Sequence, residues 1–185
     1  MSGDMVEQPS VTLQDIVKHV GRYPEEAFVF TREGLGFAAD QIHGPETDAH
    51  RALQQFLIQN DLDWNDLIAR YHTGELPEAV VAAVQAAGGC EKLNRHVGGR
   101  ELCWGLRDFA LQRWSLLARV VLESWNIQST RDFGRIVFGF IDFDMMRRQE
   151  DDTLDDFNDI YSFREAFDEP FRNGLPCEEL DSRKN

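Results

Sequence analysis

Cysteine is scarce. The chain has three in 185 residues (Cys90, Cys103 and Cys177), an odd number with no C-x-x-C pair, which fits a reducing compartment better than a disulfide framework. Basic residues are also few, 19 against 33 acidic ones, for a formal net charge of −14. The deficit is uniform: residues 1–100 hold 15 acids and 8 bases, and residues 101–185 hold 18 and 11. Nucleic-acid binding depends on neutralising phosphates with Lys and Arg, so it is disfavoured, as is docking on anionic membranes. Apolar runs stay far below the roughly 18 residues of a membrane span. The opening MSGDMVEQPS has neither a basic n-region nor an apolar h-region, so no signal peptide is expected and the cytoplasm is the simplest compartment. Chemical signatures are missing too. No GxxxxGK[ST], GxGxxG, GxSxG, HExxH or EF-hand spacing occurs, so no cofactor, metal or catalytic residue is assigned.

What is present is a core. With 42% hydrophobic and 11% aromatic residues, the chain has ample material for packing. Residues 99–143 hold its centre. Leu102, Gly105, Leu106, Phe109 and Ala110 fall at i, i+3, i+4, i+7 and i+8, the spacing of one helical face. Leu117, Val120, Val121, Ser124 and Trp125 repeat it, and Phe133, Ile136, Val137, Phe140 and Ile141 form a third face. Whether residues 100–125 make one helix or two depends on Trp114-Ser115. Arg113 interrupts the apolar face and Ser115 can cap a second helix, so two are preferred. Thr130 is the expected N-cap of the third helix, with Asp132 in its first turn.

The expected fold class is mainly α. Residues 1–11 read as a flexible leader and 174–185 as a flexible tail, around a helical domain at 12–173. Within that domain, 12–44 holds N-terminal helices, 45–93 an all-α insertion and 94–173 the core. Thr12 and Asp15 form a capping-box pattern before Leu13, Ile16, Val17 and Val20, with Gly21 as the stop. Pro24-Glu25-Glu26 opens a largely buried helix that Gly34 and Gly36 should weaken. In the insertion, Ala49–Gln59, Trp64–His72 and Pro77–Ala87 read as three helices closed by Gly88-Gly89. Beyond the third core helix, residues 145–163 read as a β-hairpin with an acidic tip, because Phe157, Tyr161 and Phe163 alternate. A short helix opening at Thr153 is the alternative. Three helices plus a hairpin is the order of a winged helix, so the C-terminal half is expected to be winged-helix-like.

The segments LQDIVKHVGRYPEEAFVFTREGL, RHVGGRELCWGLRDFALQRW with LLARVVLESWNIQSTRDFGRIVF, and DDTLDDFNDIYSFREAF, spanning about 12–43 and 94–172, resemble a bacterial family of uncharacterised proteins largely restricted to Planctomycetes and Verrucomicrobia. The resemblance implies no activity. It does imply departures: Ser115 and Asn126 stand where glycine is expected in relatives, and Gly98 stands where Ser or Thr is expected. Segment 45–93 is longer than the equivalent link, consistent with an insertion.

Candidate functional residues are few. Asp151, Asp152, Asp155 and Asp156 form an acidic run suited to a basic protein partner. They lack the spacing and the glycine of a calcium loop. Residues 150–169 hold nine acids and one base, Arg164, so such a ribbon would repel phosphates. Arg131 and Arg135 are the bases of the third helix and, with Arg147 and Arg148, carry the nucleic-acid alternative. His96 stands at the turn before the central helix and, with Glu101 and Asp132, carries the enzyme alternative. Glu46 and His50 could share a helical face as metal ligands, but a closed site needs more. Cys103 has no adjacent base to form its thiolate. Trp104, Trp114 and Trp125, spaced 10 and 11 apart, could line a strip for a partner or enter the core. The expected function is a non-catalytic protein-interaction module with an unknown protein partner.

Overall fold

A computed structural model describes residues 11–149 and 151–172. The expected leader (all but Val11), the tail and Cys177 lie outside them. In chain order the helices are α1 (Leu13–Val20), α2 (Glu25–His43), α3 (Asp48–Asn60), α4 (Trp64–Thr73), α5 (Glu78–Ala86), α6 (Gly99–Trp114), α7 (Ala118–Ser124) and α8 (Thr130–Ile141). After α8 come a 3₁₀ turn at Leu154–Phe157, a π turn at Arg164–Asp168 and a last helical turn at Glu169–Arg172. The protein is mainly α. No strand occurs among the described residues, so the expected hairpin, and the wing built on it, are corrected. The competing capping pattern is what forms. Thr153 N–H and Oγ1 donate to Asp156 Oδ2 at 2.6 and 3.0 Å, and Phe157, Tyr161 and Phe163 are all buried on this turn-rich segment without a strand to carry them.

The chain divides into two compact units, one formed by residues up to Phe37 together with those from Gly98 onward, the other by Ala38–Val97. In the first, α1, α2, α6, α7 and α8 bury Phe28, Phe30, Phe133 and Phe140, each at most 2% exposed. Each contributes about 1.5–3 kcal/mol of transfer free energy. Glycine sets how closely these pieces approach. A Cβ on Gly134 of α8 would lie 2.7 Å from Phe157 Cγ, and one on Gly99 of α6 would lie 2.8 Å from Phe157 Cε2. Both sites are too tight for alanine. Phe157 thus sits in a socket made by two glycines, which holds the 3₁₀ turn against α6 and α8. Gly34, expected to weaken α2, is a packing contact: a Cβ there would meet Leu106 at 2.4 Å. Gly36 faces open space.

Helix ends follow the sequence cues with small shifts. Thr12 and Asp15 cap α1 reciprocally, and Gly21 closes it at φ 65°. The cap of α8 is Ser129, one residue earlier than expected. Thr130 is buried, and its Oγ1 accepts from Ile160 N–H at 3.3 Å. Residues 100–125 do make two helices, but no side chain of Ser115 caps the second. The break is made by backbone: Ser115 takes φ 49°, ψ −124°.

The second unit has its own core of Leu53, Leu57, Leu62, Leu67, Val84, Ala87 and Leu93. Relative to the expected ends, α3 is one residue longer at each end, α4 one residue longer at its C-terminus, and α5 one residue shorter at each end. It reaches past both ends of 45–93 because Arg95 donates to Gly44 O at 2.7 Å and to Asp40 at 2.6 Å.

Candidate functional site

Three rings converge where α2, the end of α6 and the end of α7 meet. Phe30 lies 5.1 Å from Trp114 and 5.8 Å from Trp125, and the two indoles meet edge to face at 5.3 Å. The break at Ser115 is the cause, since a continuous helix would carry Trp125 away from Trp114 along the axis. Phe30 is buried, while both tryptophans remain partly exposed. Together with Glu25, Glu26, Val29, Glu33 and Arg113 they line a groove of about 520 Å³. Its polar groups are mostly acids. Arg113 pairs with Glu33 and lies over the rings of Phe109 at 5.3 Å and Trp114 at 5.7 Å. Glu25 and Glu26, in the first turn of α2, have no ion-pair partner among the described residues. The chain leaving Trp114 carries an unusual load of solvent-facing apolar side chains: Leu116, Leu117 and Val120 are 66%, 62% and 61% exposed.

A second polar centre is buried. Asp132 is 1% exposed. Its Oδ1 accepts from Tyr23 Oη at 2.6 Å and from Arg135 at 2.7 Å, with Arg22 at 3.7 Å. Its Oδ2 accepts from Gln128 N–H, Ser129 N–H and Ser129 Oγ at 2.9, 3.0 and 3.0 Å. Burial alone would raise its pKa, but these bonds together lower it below its ordinary value. Burial, then the bond to Asp132, raises Tyr23 to about 12. Every oxygen of Asp132 is engaged, so the carboxylate is a structural clasp joining α1–α2 to α8.

The other sequence candidates are similarly engaged. Asp152 Oδ2 accepts from Gln149 N–H, Asp156 from Thr153, and Asp155 from Asn158 and Arg131. These acids close turns around Phe157, and with Asp151 they line a shallow depression beside Gly98, Arg100 and Glu101. No group of three or more His, Cys, Asp or Glu among the described residues is arranged to hold a metal. Arg131 pairs with Asn158 and Asp155, and Arg135 with Asp132. Arg147 and Arg148 are exposed after α8. Glu101 accepts from Gly98 N–H at 3.2 Å, half of a capping box whose other half glycine cannot supply. His96 belongs to the second unit, where its carbonyl accepts from His43 at 2.9 Å. His50 has both ring nitrogens occupied, since Nε2 must donate to Lys92 O and Nδ1 then accepts from Thr47 Oγ1. Neither nitrogen is left for a metal. Cys103 is fully buried, and burial pushes its thiol up to about 12, so it is no nucleophile at neutral pH. Of the three spaced tryptophans, Trp114 and Trp125 meet. Trp104 packs on Tyr161 at 4.8 Å instead.

Sequence reasoning weighed the tryptophans and the acids of Tyr23-Pro24-Glu25-Glu26 separately and so missed their convergence. The signal available was Trp114 directly before a predicted break. No family model, curated protein or solved structure matches the chain. No helix among the described residues is long and apolar enough to cross a membrane.

Proposed function

We propose that this protein is a non-catalytic protein-interaction module of the cytoplasm, whose contact surface is the tryptophan groove and the apolar strip after it. The observation that carries this reading is the exposure of Leu116, Leu117 and Val120 in the chain that leaves Trp114, one of two partly buried indoles. Partly buried Trp side chains ringed by apolar neighbours are the usual anchors of protein interfaces, and contiguous exposed apolar side chains are uncommon on a chain with no partner. The acidic run Asp151–Asp156 is the weaker contact, because three of its carboxylates hold their own turn. The nucleic-acid alternative loses Arg131 and Arg135 to internal partners. The enzyme alternative loses Asp132 and Glu101 in the same way. The resemblance to the uncharacterised bacterial family belongs to this proposal and adds no chemistry to it.

The test is affinity capture from the native lysate with wild type and with Leu117→Glu/Val120→Glu. Both positions face solvent, so circular dichroism should be unchanged while a specific captured protein disappears. Equal recovery of every protein by the two would overturn the reading.

A further inference from the structure

We propose that the groove takes a lysine or arginine of the partner, presented on a segment whose apolar neighbours cover Leu116, Leu117 and Val120. The inference rests on the docking reading above and adds the chemistry of the occupant.

Three observations converge on a cation. The groove is lined by the rings of Phe30, Trp114 and Trp125 and by Glu25 and Glu26, carboxylates with no cationic partner among the described residues. An aromatic face beside a carboxylate attracts a cation on both counts, by the ring quadrupole and by charge. The chain also displays the binding mode within the groove. Arg113 lies over Trp114 and Phe109 while pairing with Glu33. Trp125 and the two remaining glutamates offer the same combination to a second cation. A second copy of this chain is the poorer occupant, because it would bring the same −14 charge and the same glutamates to the contact. An acidic segment would meet that repulsion without relief.

The probes are two blocked hexapeptides, Ala-Leu-Lys-Arg-Leu-Ala and Ala-Leu-Glu-Glu-Leu-Ala, titrated into the ¹⁵N-labelled full chain. The four indole N–H signals, from Trp64, Trp104, Trp114 and Trp125, report position. The basic peptide should shift Trp114 and Trp125 and leave Trp64 and Trp104 in place, with binding that weakens as salt rises. Glu25→Gln/Glu26→Gln should weaken it about fivefold, the scale of two partly exposed charge contacts. Glu75→Gln/Glu78→Gln removes the same charge from exposed positions of the second unit and should leave affinity unchanged. Equal weakening by both pairs would overturn the inference, since it would mean general attraction to an acidic protein. Shifts confined to Asp151–Asp156 would overturn it as well. If the acidic peptide moves Trp114 and Trp125, or neither peptide does while Leu117→Glu/Val120→Glu still loses its captured protein, the cation is refuted and the docking reading stands.

Discussion

Asp132 shows how one residue can look catalytic in sequence and act as a clasp in the fold. It collects Tyr23, Arg135, Ser129 and two backbone N–H groups while almost entirely buried. Its folded pKa lies below the ordinary 3.8. A carboxyl with a depressed folded pKa stabilises the protein above its unfolded value, and that contribution is lost as pH falls through the folded one. Asp132→Asn should therefore cost about 2–3 kcal/mol at pH 7, measured by urea unfolding. The gap to wild type should narrow below about pH 4, where the unfolded chain's carboxyl takes up its proton. A gap of constant size from pH 7 to pH 3 would show that the charge is not what the clasp uses. The same residue explains part of the acidic composition. Asp15, Asp66, Glu101, Asp156 and Glu165 also accept backbone N–H groups where helices and turns begin. These carboxylates satisfy backbone donors that a helix start leaves open, and counting charge along the chain cannot separate them from a binding patch.

At the scale of elements, Ser115 and Asn126 frame the short helix α7, and both take positive φ, 49° and 63°. A side chain there costs of order 1–3 kcal/mol in strain, the physical reason to look for glycine at such positions. Ser115→Gly should stabilise the protein by about 1 kcal/mol after the greater unfolded freedom of glycine is deducted. That corresponds to a rise in Tm of about 2–4 °C for a chain of this size; a fall would show that the Ser115 backbone is not strained. Helices were the most legible feature of the sequence. The capping box at Thr12, the 3.6-residue periodicity of the central stretch and the three helices after Gly44-Pro45 all placed elements within one or two residues. The hairpin was not legible, because period-two aromatics at Phe157, Tyr161 and Phe163 also suit an irregular segment that turns those three rings into the core while Asp159 and Ser162 stay exposed. Nothing local distinguishes the two: Phe157 is inward because Gly99 and Gly134, 58 and 23 positions away in the chain, leave it a socket.

Across the whole molecule, the two units differ in how their cores are assembled. The buried cluster at the core of Ala38–Val97 runs from Leu53 to Leu93, all within that unit, so it should open as a unit of its own. Leu67→Ala, at a fully buried position, should cost about 2–5 kcal/mol locally. Amide hydrogen exchange should then speed up in α3–α5 while α8 keeps its protection. Uniform acceleration through both units would mean they open together. The groove was only partly legible for a related reason. Its aromatics and its acids come from α2, α6 and α7, which the sequence separates by the entire second unit. Long-range pairing also fixes when the fold can be completed. Tyr23 and its acceptor Asp132 are 109 residues apart. As a ribosome releases the chain from its N-terminal end, Phe28 and Phe30 emerge well before α6, α7 and α8, which complete their burial, whereas the middle unit has its whole core cluster in hand once Leu93 is out. The segment carrying Phe28 and Phe30 is therefore enclosed only after the unit that follows it in the chain has been released.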